Sequence, residues 1–255
     1  MTRRWITLAN FTMKKNYKTT IVLGTAFAVI AAGIFSDSAF AVVRTNFCAN
    51  LNQAVSVLDQ GIITREGVLK TRQNERLQNL KNNRDLRDAK LAELKQGVMN
   101  SMSPVYAKIE ALAKTDGQKT AVNNFKTAME NAVSARKNAV KTAALEYRQE
   151  IDRIIALRNS AIDNAVRNFK NSNQAAVKKA KTDCATGVRP PIARTTFVSS
   201  IRTAKSNLIS DKQKNGIPSS LVKSASTEYK NTVAKANQDF KAASEKARLE
   251  LRVAF

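Results

Sequence analysis

The chain has 255 residues, 43 of them Lys or Arg against 20 Asp or Glu, which gives a formal net charge of +23 at pH 7. It contains no histidine and only two cysteines, Cys48 and Cys184. The usual general base, the commonest zinc ligand and every Ser-His or Cys-His pair are therefore missing, two cysteines without clustered carboxylates make no metal site, and the isolated glycines form no phosphate-cradling loop, so neither an enzyme nor a cofactor carrier is expected.

The chain begins as an export signal would. Arg3, Arg4, Lys14, Lys15 and Lys18 precede an uncharged apolar run from Ile21 to Phe35, followed by Ser36-Asp37-Ser38-Ala39-Phe40-Ala41. A basic segment, an apolar core and an A-x-A arrangement of Ala39 and Ala41 predict a secretory signal over residues 1–41, cleaved after Ala41, with Met13 an alternative start. An uncleaved membrane anchor is the competing reading, and the run is short for the roughly 20 residues a spanning helix needs. Beyond residue 41 the chain keeps 38 basic against 19 acidic residues. An exported chain so charged is expected to seek acidic envelope polymer or an anionic membrane surface.

The first helical segment is expected from about Arg44 to about Ala113. Phe47, Leu58, Leu69, Leu80, Leu91, Met102 and Ala113 recur every eleven residues. Three turns of 3.67 residues keep such a ladder on one side of a nearly straight helix. Gly61 and Gly67 weaken its first third, and Ser103-Pro104 is expected to kink it. Asp116-Gly117 reads as a turn. From Gln118 to Thr186 there is neither Gly nor Pro, and the same period runs through Val122, Val133, Ala144, Ile155, Val166 and Val177. A parallel row holds Met129, Val140, Ile151, Ile162, Asn173 and Cys184, and a third holds Phe125, Arg136, Tyr147, Arg158, Phe169 and Ala180. The aromatic members of the third row are expected as packing knobs. Its arginines are expected either at the edge of the stripe or against carboxylates such as Glu75 and Glu93.

Folding the second segment back about Asp116-Gly117 sets Leu69 against Ile162, Leu80 against Ile151, Leu91 against Val140 and Met102 against Met129. The same register brings Cys48 to Cys184, and in an oxidising compartment such a pair is expected as a disulfide. The arms would be on the order of 100 Å long, with little core per residue, so self-association is expected.

Gly187 to Pro191 is expected as a linker, with Gly187 a left-handed cap. A third segment, from about Ile192 to about Lys214, carries the densest excess of cations; Arg189, Arg194, Arg202 and Lys205 are the candidate polyanion contacts. Asn215-Gly216-Ile217-Pro218 reads as a turn, with Ser219 or Ser220 capping a fourth segment. There the repeat is literal: Ala225 to Lys230, Ala236 to Lys241 and Ala247 to Arg252 each begin with Ala and end with an aromatic or apolar residue and a base. Ala121 to Lys126, Ala143 to Arg148 and Ala165 to Lys170 follow the same pattern. Regular repeats belong to rods and bundles more than to sites.

The expected fold is all-α: a long antiparallel helical hairpin over residues 42–186, of hendecad coiled-coil type, then a linker at 187–191 and a helix pair at 192–255, together an elongated bundle. The expected function is that of an exported, non-enzymatic structural or interaction protein of the cell envelope, binding acidic polymer or lipid through its basic surface. Across most of residues 44–255 the amphipathic eleven-residue period is similar to that of exchangeable apolipoproteins and desiccation-related helical proteins, which implies helices that open onto anionic membrane. In charge and arm length the chain also resembles the trimeric jellyfish-shaped periplasmic chaperones, which implies a holdase, although no strand-rich body is legible. Nucleic acid is a further possible polyanion, with the third segment as its contact.

Overall fold

The computed structural model describes residues 46–255, apart from the side chains of 94, 95 and 97–101. The expected signal and its cleavage residues, Ala39 and Ala41, lie outside the described residues. Four helices follow one another: α1 (Phe47–Leu112), α2 (Asp116–Ala185), α3 (Pro190–Lys214) and α4 (Ser219–Val253). There is no strand among the described residues. None of these helices is long and apolar enough to cross a membrane.

The chain reverses within Ala113 to Thr115, two residues before the expected turn. Thr115 makes the start: its Oγ1 accepts the Gln118 backbone N–H at 3.2 Å, and Gln118 Oε1 accepts the N–H of Thr115 at 3.2 Å. This reciprocal capping box takes Asp116 and Gly117 into the first turn of α2. At the other end Gly187 adopts φ +78°, the Val188 N–H reaches Asp183 O and the Gly187 N–H reaches Cys184 O. That double bond to the last turn is why glycine ends the helix there. Pro190 and Pro191, expected in a linker, are instead the first residues of α3, because a first-turn proline gives up an N–H that has no helical partner anyway. Likewise α1 runs on through Pro104.

With 70 residues, α2 is about 105 Å long and is the spine. Its most extensive contacts are with α4 and then α3, and those with α1 are fewer. The aromatic pair Tyr147–Tyr229 and the bond from Arg136 to Asn237 fix α4 antiparallel to the first half of α2. Phe169, Ala176 and Ala180 join Ala193, Phe197 and Leu208 in one cluster along the second half. In consequence α3 and α4, joined by a bend, succeed each other along the spine. This arrangement departs from the expectation that α1 would be the main partner of α2.

The buried positions of the spine explain the preference. Ala132, Ala143, Ile154, Ala165 and Ala176 stand eleven apart and are all buried, as are Ala193 and Ala204 on α3 and Ala225, Ala236 and Ala247 on α4. Alanine lets backbones approach closely while larger neighbours interlock around it. The repeated alanine of the sequence unit is thus the contact row between α2 and the C-terminal helices.

Along α1 the apolar rows have gaps. Three of them face inward at its ends, beginning Phe47, Leu51 and Ala54 and finishing Met102, Tyr106 and Ile109. Between these ends the second row reads Gln73 and Arg84, and the third Arg65, Arg76 and Arg87. One surviving leucine row is too narrow to seal a helix pair, so Leu91 is 57% exposed where the ladder set it against Val140. Among the described residues, the apolar contacts of α1 accordingly fall in two clusters. One cluster joins α1, α2 and α3 beside the Cys48–Cys184 bond, with Phe47 5.7 Å from Phe197. The other joins Met102, Tyr106 and Ile109 to Phe125, Met129 and Ala247.

Asn173 occupies the core row of α2 with 2% exposure, and its side-chain oxygen and nitrogen have no hydrogen-bond partner. A buried amide so placed costs about 1 to 3 kcal/mol. Replacing it by leucine is expected to raise the unfolding free energy by about 1 to 2 kcal/mol in urea titrations; a loss of stability would mean that the amide is satisfied in solution. Space around Gly67 is open, with no atom within 4 Å of an added Cβ, so Gly67→Ala is expected to add about 0.5 to 1 kcal/mol by the same measurement.

Candidate polyanion-binding surface

Cys48 and Cys184 are joined by a disulfide with Cα atoms 5.5 Å apart, closing a loop of 136 residues. In the chain-entropy account such closure is worth about 4 to 5 kcal/mol. No group of three or more His, Cys, Asp or Glu residues that could hold a metal occurs among the described residues.

The four candidate contacts on α3 do not converge. Arg189 is the N-terminal cap residue and is exposed, as is Arg202, while Arg194 and Lys205 are partly covered. Arg194 and Lys205 stand eleven apart, each next to a buried alanine, Ala193 or Ala204. Sixteen residues of helix separate the first of the four from the last, about 24 Å. They form a stripe along the flank of the rod.

Elsewhere many cations are already answered across helix boundaries. Arg84 of α1 donates to both carboxylate oxygens of Asp152 at 2.9 Å, and Arg148 of α2 donates to Asp88 at 2.5 and 2.8 Å. These two forked pairs hold the polar middle of α1 to the spine, where the apolar rows lapse. Lys170 pairs with Glu66, and Lys126 with Glu110 at 2.5 Å. Arg136 is exposed at the edge of the stripe, the first of its two expected placements; it donates to Asn237 of α4 at 2.6 Å, its guanidinium lying 5.4 Å from the Phe240 ring centroid. The aromatic knob next to it in the row, Tyr147, rests on Tyr229.

Burial lowers the Arg158 pKa, and Arg76 lowers it further; burial lowers that of Lys212, and Arg65 adds to the effect. Arg65 is itself lowered by burial. Arg158 was legible in the sequence as an odd member of a core row. Lys212 and the arginines of α1 were not singled out, yet the signal was there: Lys212 stands eleven residues after the buried Ile201, and Arg65 and Arg76 follow Ala54 in an inward-facing row.

The forked pairs give a pH test. The hydrogen bond from Arg148 holds the Asp88 carboxyl below its usual pKa, so its stabilising contribution is present above the unfolded-state value and fades as pH falls through the folded one. The carboxylate is half exposed, which limits the gain to about 1 kcal/mol or less. Asp88→Asn is expected to lower stability by that amount at neutral pH and by nothing measurable once the wild-type carboxyl is protonated; a deficit constant with pH would place the effect in packing instead. Comparison with protein-family models, curated proteins and solved structures finds no match for this chain.

Proposed function

We propose that the protein is an exported, non-enzymatic helical rod of the cell envelope that holds on to acidic polymer or lipid through its basic surface. In this reading α1 and α2 form a disulfide-stapled hairpin of hendecad type, flanked by α3 and α4 in succession along α2. The observation that carries it is the combination of a regular elongated scaffold with a charge imbalance that internal pairing leaves in place. The ion pairs across and along the helices use carboxylates, and with 43 cations against 20 acids even complete pairing leaves an excess of 23 cations. Solubility alone asks for far less net charge than this.

Support for export comes from the A-x-A segment at Ala39 and Ala41 and from the disulfide, since structural disulfides persist in oxidising compartments. A packed, capped scaffold favours a preformed rod over helices that open on a lipid surface. The self-association expected of a thin rod remains part of the proposal.

Binding of the oxidised protein to an acidic polymer such as polyphosphate is expected to be tight at low salt. It should weaken steeply between 50 and 200 mM NaCl, as counterion release requires, by an order of magnitude or more. Far-ultraviolet circular dichroism is expected to stay unchanged when anionic vesicles are added. Absence of binding to any polyanion at low salt would sink the proposal; a large helicity gain on vesicles would move it to a lipid-opened form.

A further inference from the structure

The hairpin turn is one end of the rod, and three helices meet there: α1 ends at Leu112, α2 starts at Asp116 and α4 ends at Val253. Tyr106 of α1 stands edge-on to Phe125 of α2 with ring centroids 6.2 Å apart, and both belong to the apolar cluster that takes in Met129, Ala247 and Leu251. From Tyr106, Phe125 and Leu251 each helix has at most about 14 Å left to run, so the three end within about two turns of one another. Outside the cluster, Val105, Leu112, Leu249, Val253 and Phe255 are exposed, Val253 to 90%. The described residues hold fifteen exposed large apolar side chains, so a third of them crowd into this short stretch while the rest are scattered along the rod.

Cations ring the same end. Residues 105–126 and 246–255 carry seven Lys or Arg against three acids. Each of the three acids is already in an ion pair, Glu110 with Lys126, Asp116 with Lys119 and Glu250 with Lys246. Lys108, Lys114, Arg248 and Arg252 are the surplus, and all four are exposed. An acidic polymer would use these cations and leave the apolar side chains wet. A second copy of the chain would cover the apolar side chains but set cation against cation. A surface with negative charge lying directly over an apolar layer answers both, and the headgroup boundary of an anionic bilayer is such a surface. From Val105 to Leu112 the collar is about 10 Å deep, the depth to which interfacial segments sink into that boundary. The turn suits the setting, since the capping box of Thr115 and Gln118 already answers backbone N–H groups at the leading edge.

We propose that the turn end of the rod is a membrane-docking tip, which seats Leu112, Leu249 and Val253 at the headgroup level of an anionic bilayer while Lys114, Arg248 and Arg252 meet lipid phosphates. Guanidinium groups suit that task because their planar fork matches two phosphate oxygens. The helices stay packed, and the rod stands on its end. The inference rests on the polyanion-binding reading above, chooses lipid as the partner, and places the contact at the opposite end of α2 from the cystine and from the stripe of Arg189 and Arg202.

The test follows tryptophan emission from two reporters in the oxidised whole chain, Val253→Trp at the tip and Leu157→Trp at an exposed position in the middle part of α2. Each also carries Trp5→Phe, which removes the one tryptophan of the sequence. The probes are phosphatidylglycerol vesicles, phosphatidylcholine vesicles and sodium polyphosphate. The tip reporter is expected to shift to the blue with phosphatidylglycerol and not with phosphatidylcholine, and the mid-rod reporter with neither. A vesicle held elsewhere does not imitate this result, because residue 46, where the earlier residues join, stands beside the cystine, about 100 Å from the tip. Leu112→Gln with Leu249→Gln, added to the tip reporter, is expected to require about tenfold more lipid for the same shift, and Arg248→Gln with Arg252→Gln to raise the requirement as well. Equal shifts in the two reporters mean a rod lying along the surface and overturn the tip. An unmoved tip reporter on a protein that still binds polyphosphate or the vesicles overturns the tip and leaves the general polyanion reading intact. No binding to either overturns both. A tip shift that appears without lipid as protein concentration rises assigns the apolar end to a second copy and overturns the docking.

Discussion

The close approach of alanine to the opposing helix is the constraint on which this rod depends. A helix about 105 Å long has no interior of its own, so every layer must be sealed by whatever lies across from it. An eleven-residue repeat meets this need because it matches the pitch of a nearly straight helix and keeps one face turned toward its partner for the whole length. The buried row from Ala132 to Ala176 on α2, with its counterparts Ala193, Ala204, Ala225, Ala236 and Ala247, brings the backbones together. The adjacent rows carry the larger knobs, such as Tyr147 on Tyr229 and Phe47 on Phe197.

Where the rows keep their apolar content the helices pack, and where they do not the contact changes in kind. At its two ends α1 is held by phenylalanine, leucine and methionine. In its middle it is held by forked arginine–carboxylate pairs. Polar middles of this sort contribute less stability than a continuous core, since half-exposed ion pairs are each worth about 1 kcal/mol or less. They do fix register, because a forked arginine meets a carboxylate in few geometries.

Local signals were the legible part of this chain. The joining of Cys48 to Cys184 follows from equal distances about the turn, and the cap at Gly187 from the need for a positive φ. Asp116-Gly117 looks like a turn, yet α2 begins at Asp116, two residues before Gln118, because Thr115 and Gln118, three apart, are the stronger cue. Choosing partners was harder. The amphipathic period shows that α2 has an apolar face but not which helix covers it, and its wide face serves α1 on one side and α3 with α4 on the other. The leucine ladder of α1 suggests a stronger partner than that helix is, since the rows beside it, through Gln73, Arg84 and Arg76, are not apolar. Charge density marks the cations of α3 but says nothing of their burial. Core-row arithmetic would have drawn attention to Lys212.

The bond between Cys48 and Cys184 also decides how the molecule would carry a mechanical load. Tension applied between residue 46 and the C-terminus passes through the sulfur bridge into the last turn of α2, and the covalent path then continues through α3 and α4. The residues enclosed by the bridge, between Cys48 and Cys184, lie outside that path. The spine and α1 therefore act as an unloaded splint, and α3 and α4 must be sheared from it along their length before the chain can extend. A rod so wired resists pulling through many small side-by-side contacts at once, and the loop from Asn215 to Pro218 sits in the loaded line.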